Sequence, residues 1–154
     1  MLPIQKAIAL SRENIENGLG GPFGAVITDV NGNTIGEGAN RVTSTNDPTA
    51  HAEMVAIRDA CSRLGTFSLA GATIYTSCEP CPMCLAAIYW ARIDKIVYAN
   101  NRQDAAAIGF DDQMIYDEIP KSLHERSIPI VREGSEAAIE VFEAWAAKQD
   151  KIKY

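Results

Sequence analysis

A mixed α/β sheet with helices on both faces is the fold class that the sequence predicts. Three observations carry it: apolar residues at helical spacing in the first segment, an early β-hairpin, and strand-like runs that then alternate with helical ones. The 154 residues suit one domain, long enough to bury a core. Hydrophobic residues make up 47% and charged residues 22%, the balance of a soluble globular protein.

Residues 3–17 place Ile4, Ala7, Ile8 and Ile15 at helical spacing, and Gly18 stops the run. Gly20-Gly21-Pro22 is a turn. Phe23 to Asp29 reads as a strand, Asn31-Gly32-Asn33 as a hairpin turn, and Thr34 to Val42 as the second strand. Asn46-Asp47-Pro48 breaks the chain before a helix over residues 49–64, which Gly65 ends. Ala72 to Ser77 is rich in strand formers. A helix starts near Pro80–Cys81 and continues through Arg92, followed by a strand at Lys95 to Asn100 and a short helical piece at Asp104 to Ile108. The remaining expectations are a strand at Ile128 to Arg132 and a helix from Ser135 to Lys148, with Ser135 as N-cap.

Charge and cysteine usage narrow the function. The formal net charge of −6 repels phosphate backbones and argues against a nucleic-acid partner, although a local basic patch would survive an acidic average. Met1 to Lys6 shows no cationic segment leading into an apolar one, so no signal peptide is read and a cytoplasmic protein is expected. No run of about 18 apolar residues is present, so no membrane span is expected. Three of the four cysteines, Cys78, Cys81 and Cys84, crowd together beside Pro80 and Pro82. In an unsecreted chain such crowding reads as a metal site rather than a disulfide framework. Cys61 reads as a small core residue of its helix.

Two motifs carry chemistry. His51-Ala52-Glu53 lies at the front of one predicted helix, and Pro80-Cys81-Pro82-Met83-Cys84 at the front of the next. Zinc prefers a tetrahedron of imidazole nitrogen and thiolate sulfur. Cys81 and Cys84 are three apart, which sets both sulfurs on one face of a helix, at the end where the macrodipole favours thiolate. The prolines fit a first turn, where a missing N–H costs nothing. With His51 they make three ligands for one Zn2+, and a fourth position left to water marks a catalytic rather than a structural site. Glu53 is then the general base and acid. Residues 51 and 53 lie about 200° apart on an ideal helix, so both face one site only where the chain is non-helical near His51. A closed site that adds Cys78 as a fourth ligand is the competing arrangement.

The paired motifs match the signature of zinc-dependent nucleobase deaminases. At these residues the chain resembles the cytidine-deaminase-like superfamily, and within it bacterial guanine deaminases. The likeness extends over nearly the whole length and rests on GGPFGAVI (20–27), NDPTAHAE (46–53), YTSCEPCPMC (75–84), AIYWAR (87–92), GFDD (109–112) and Tyr154. The resemblance implies a three-layer α/β/α sandwich with a five-stranded mixed sheet. It implies one zinc per subunit and a homodimer, with a C-terminal helix and tail (135–154) closing over a site. It further implies that Asn40 hydrogen-bonds the base, that Phe23 and Trp90 line the pocket or its rim, that Asp112 binds the guanine edge, and that Tyr154 helps to lid the site.

The activity implied is zinc-dependent hydrolysis of guanine to xanthine and ammonia, with a small purine as substrate. Alternatives are transfer-RNA adenosine deamination, or deamination of cytosine, guanosine or another aminated heterocycle. The non-enzyme alternative is a zinc-stabilised binding module. Read without the resemblance, Trp90 and Phe23 are core residues, residues 109–112 equally a solvated loop, and Tyr154 a disordered terminal residue.

Overall fold

The computed structural model describes residues 1–154. The chain forms two compact units, Met1–Asp112 and Gln113–Tyr154.

The first unit runs α1 (Pro3–Glu16), β1 (Gly24–Thr28), β2 (Thr34–Ala39), α2 (Val42–Thr45), α3 (Ala52–Leu64), β3 (Thr73–Cys78), α4 (Pro82–Trp90), β4 (Lys95–Asn100) and α5 (Arg102–Ala107). The strand order is β2-β1-β3-β4. β1 is antiparallel to β2 and to β3, and β3 is parallel to β4. Hence β2, β3 and β4 point the same way, and their carboxyl ends share one end of the sheet with the start of β1. Ligand sites of open α/β sheets form outside such carboxyl ends.

Alternation along the strands sorts the two faces. Gly24 faces α1, where an added Cβ would stand 2.2 Å from the Ala7 carbonyl oxygen. The opposite face packs Ala25, Ile27 and Ile74 against Ala52, Ala56 and Ala60 of α3 and Ile88 of α4. The unit is therefore three-layered, with α1 on one side of the sheet and α3 and α4 on the other. Gly36 and Gly38 bring α3 unusually close: a Cβ there would lie 2.6 Å from the Ala56 oxygen and 2.3 Å from the Ala52 oxygen. Small residues on both surfaces thus seat the start of α3 directly on β2, which fixes where His51 stands.

Several sequence expectations need correction. The sheet has four strands, not five. Ile128 to Arg132 forms no strand; Pro129 has no N–H to donate to a ladder, and Ile128 and Val131 are fully exposed. Strand-forming composition yields a strand only where a neighbour supplies the pairing. The second strand stops at Ala39, and Val42–Thr45 turns into α2 instead. The helix expected from residue 49 begins at Ala52, and the piece expected from Asp104 begins at Arg102. There Asn101 accepts from the Asp104 N–H at 2.9 Å and donates its own N–H to the Asp104 carboxylate at 2.9 Å.

The second unit contains α6 (Gln113–Glu118), a 3-10 turn at Leu123–Glu125 and α7 (Ser135–Ala147). The first two were not expected. α7 falls where the sequence places it, but its N-cap is Gly134, at φ 71°, rather than Ser135. No residue of this unit is buried. No helix of the chain is long and apolar enough to cross a membrane.

Candidate metal centre

Beyond the carboxyl end of β3, the first turns of α3 and α4 meet. His51 is the N-cap of α3, with φ −66° and ψ 158°, and Cys81 is the N-cap of α4, with φ −66° and ψ 169°. Both backbones are extended, so their side chains leave the helix cylinder and turn toward each other. This removes the angular difficulty of His51 and Glu53: His51 precedes the helix, and Glu53 lies within its first turn. Pro82 occupies the first helical position of α4, which loses no hydrogen bond by having no N–H. Cys84 follows in the same turn, fully buried.

The distances fit zinc. His51 Nδ1 lies 3.5 Å from Cys81 Sγ and 3.6 Å from Cys84 Sγ. Zinc bonds of ordinary length at tetrahedral angles place nitrogen and sulfur about 3.6 Å apart. The three ligand atoms lie within 4.8 Å of one another, and no other side chain completes the group. Cys78 does not join it, because its thiol donates to the Asn101 carbonyl oxygen at 3.8 Å. Burial pushes that thiol up to about 11, the state of a structural cysteine. The arrangement is thus a three-donor site with an open position, which sets aside the closed four-ligand reading.

Charge around the trio is ordered. The Cys84 thiol hydrogen-bonds the Cys81 sulfur and, with His51 assisting, holds Cys81 down to about 4. As donor in that pair, and buried, Cys84 is pushed up. The bond to Cys81 raises His51. A bound ion takes both sulfurs as thiolates. Glu53 is 7% exposed, and its Oε2 lies 3.5 Å from Cys84 Sγ. Burial pushes its carboxyl up, so it holds a proton more readily than a surface glutamate does.

Asn40 follows β2 at the same sheet end and is buried. Its Oδ1 accepts from the backbone N–H of Gly21 at 3.3 Å and of Val42 at 3.2 Å. Its own N–H donates to the Phe23 carbonyl at 3.1 Å. Nδ2 makes no hydrogen bond within the chain, so Asn40 presents donors. Phe23 packs on the core and meets Phe110 edge-on, with centroids 4.9 Å apart. Asp112 is partly buried with Arg102 Nε 3.9 Å away, while Asp111 is exposed. Burial raises the Asp112 carboxyl against the lowering effect of Arg102, and Cys81 adds a smaller upward push. Asp112 is therefore the less exposed of the two acids.

Trp90 lies at the other end of the helix that carries two of the trio. It ends α4, the helix whose start carries Cys81 and Cys84, and the intervening turns span about 12 Å. Its ring is 64% exposed, with the Arg92 guanidinium 5.9 Å from its centroid. Tyr154 belongs to the second unit and is exposed.

Sequence reasoning missed Asn14, Arg41 and Phe110. A polar residue late in an amphipathic helix reads as surface, yet Asn14 is buried and bonds the turn beside Asn40. Only its position seven residues after Ala7, on the inward stripe of α1, signals this.

Comparison with known proteins adds to this geometry. A family model described as the cytidine and deoxycytidylate deaminase zinc-binding region matches residues 3–100. The guanine deaminase of Bacillus subtilis (strain 168) is 50% identical over 151 residues, which cover 98% of this chain and 96% of that protein. The X-ray structure of guanine deaminase from Bacillus subtilis aligns with a TM-score of 0.95 at 49% identity, covering 99% of this chain and 96% of that one. A tRNA-specific adenosine deaminase of Haemophilus influenzae is 41% identical over 96 residues, 59% of this chain and 56% of that protein.

Proposed function

Because the chain belongs to the zinc-binding cytidine and deoxycytidylate deaminase family, we propose that it is a guanine deaminase, hydrolysing guanine to xanthine and ammonia. The observation that carries the substrate is the extent of likeness. The guanine deaminase of Bacillus subtilis matches over 98% of the chain, whereas the transfer-RNA enzyme matches over 59%.

His51, Cys81 and Cys84 would hold the ion. When bound, zinc supplies the Lewis acidity that makes a water molecule nucleophilic near neutral pH. Glu53 takes a proton from that water as its oxygen bonds to C2 of guanine, and delivers it to ring N3. The same carboxyl then shuttles a second proton to the 2-amino group, which leaves as ammonia, and C2 keeps the oxygen as the carbonyl of xanthine. A carboxyl whose proton affinity is raised by burial suits both directions of transfer. Asn40 Nδ2 donates to an acceptor of the base, and Asp112 accepts from its N–H edge. Phe23 flanks the ring. A site with both donor and acceptor set in place rejects bases that cannot pair with them.

The functional form proposed is a cytoplasmic homodimer. Supporting it are the apolar side chains of α7, Ile139, Phe142 and Trp145, which lie exposed in the single chain. The family likeness keeps Trp90, Tyr154 and the 135–154 helix and tail in the proposal, the first as a rim residue and the others as a lid. Light scattering reads the mass, and removal of Tyr154 tests the lid through KM. The activity itself is tested by ammonia release from guanine, guanosine, cytosine, adenine and a tRNA anticodon stem. Release from guanine well above the others supports the reading; release from the RNA stem or from cytosine instead overturns it.

A further inference from the structure

Asn14 is buried at 2% exposure within α1, where an amide side chain is costly unless all its polar atoms are paired. They are paired, and the partners come from segments far apart in sequence. Nδ2 donates to the Gly21 carbonyl at 2.8 Å and to the Asn40 carbonyl at 2.9 Å. Oδ1 accepts from the Arg41 guanidinium, which also donates to the Asn40 carbonyl at 3.1 Å. The Gly20–Gly21 turn lies hard against this junction: a Cβ on Gly20 would stand 2.2 Å from the Asn40 carbonyl oxygen.

The consequence falls on Asn40. Its N–H is bound to Phe23, its carbonyl to Asn14 and Arg41, and its Oδ1 to the Gly21 and Val42 amides. Every polar atom except Nδ2 is committed, and flipping the amide would turn two backbone donors onto an NH2 group. Asn14 ties the Gly21 side of that arrangement to the Asn40 backbone. Loss of its two donors frees the turn that carries the Gly21 amide, and with it the orientation of the Asn40 side chain.

We propose that Asn14 is a positioning residue for the substrate: it clamps the Gly20–Gly21 turn onto Asn40 and so aims Asn40 Nδ2 at the base. The inference rests on the reading of Asn40 as a base contact in guanine deamination. Asn14 touches neither the metal trio nor Glu53, so its effect falls on substrate binding and not on the proton transfers.

The test is a double-mutant cycle on the full-length, zinc-loaded protein with N14D, N40A and the two combined, reading kcat and KM for guanine beside zinc content. N14D keeps the size of the side chain and removes both donors; N14S serves in its place should N14D fail to fold. Expected are one zinc per chain throughout and, in N14D, a KM raised about tenfold with kcat within about threefold. The double variant is expected to match N40A alone, because one substitution acts through the other. A wild-type KM in N14D, lost zinc, or effects that multiply in the double variant overturn the proposal. Failure of the guanine reading shows separately, as a zinc-loaded wild type that releases no ammonia from guanine. Hydrogen exchange then decides the clamp on its own. The Gly21 and Val42 amides lose protection in N14D if Asn14 orients Asn40, and retained protection overturns the inference.

Discussion

The candidate metal cluster is set by the backbone at two helix starts, whereas the rim around Asn40 is set by side-chain hydrogen bonds among a helix, a glycine turn and a strand end. His51 and Cys81 have nearly the same backbone conformation, each one residue ahead of its helix, and Cys84 and Glu53 sit in the turns that follow. Asn40 instead follows a strand and depends on α1, a glycine turn and Arg41 for its orientation. The first construction rests on backbone geometry at two helix starts and suits atoms that must stay within tenths of an ångström. The second depends on several weak contacts and, in the function proposed, governs which base is accepted. The difference teaches that, if the proposed roles hold, chemistry and specificity rest on separate parts of one sheet end and can be disabled separately.

Substitutions at the trio are expected to be the most severe. Cys81→Ala leaves two ligands, and we expect zinc content near zero and ammonia release at background, read by metal analysis and a coupled assay. Zinc retained at one per chain would break the comparison, since the helix starts would not then be what holds the ion. Asn40→Ala should keep its zinc and raise KM for guanine about 10- to 100-fold, the cost of losing one buried donor to the base. A fall in kcat with KM unchanged would place Asn40 among the groups that act on the reaction itself.

Gly38→Ala tests the seating of α3. Its new methyl would meet the Ala52 oxygen and the Ala56 nitrogen, so α3 must shift, at a cost of about 1–3 kcal/mol of stability in thermal or denaturant unfolding. Unchanged stability would mean that β2 and α3 are not held by close packing. The smallest effect is expected at Trp90, at the far end of α4 from the metal ligands. As a rim residue, Trp90→Ala should raise KM about two- to fivefold with kcat unchanged in a steady-state assay. An unchanged KM would remove Trp90 from the rim.

The same division separates what could be read in the sequence from what could not. His51, Glu53, Cys81 and Cys84 were legible because ligand chemistry demands those residue types at short spacing. Their relation in space was not: that His51 caps α3 rather than lying in it is a backbone property invisible in the letters. The strands of the first unit were legible where alternation or β-branching is strong, as at Lys95–Asn100. The end of β2 was not, because Val42–Thr45 is rich in β-branched residues and still forms a helical turn. Ile128 to Arg132 misled for the opposite reason, having strand composition and no strand to pair with. Asn14 escaped because burial of a polar side chain is decided by distant partners. That Asp112 is less exposed than Asp111 was likewise not legible in the letters.

The central claim is that a carboxyl at position 53 moves protons beside a metal ion held by His51, Cys81 and Cys84. Its most direct test is the zinc content and guanine turnover of Glu53→Gln, measured on the same preparation. The account predicts one zinc per chain with kcat lowered about 100- to 10,000-fold. Turnover at the wild-type rate, with the ion in place, would contradict it.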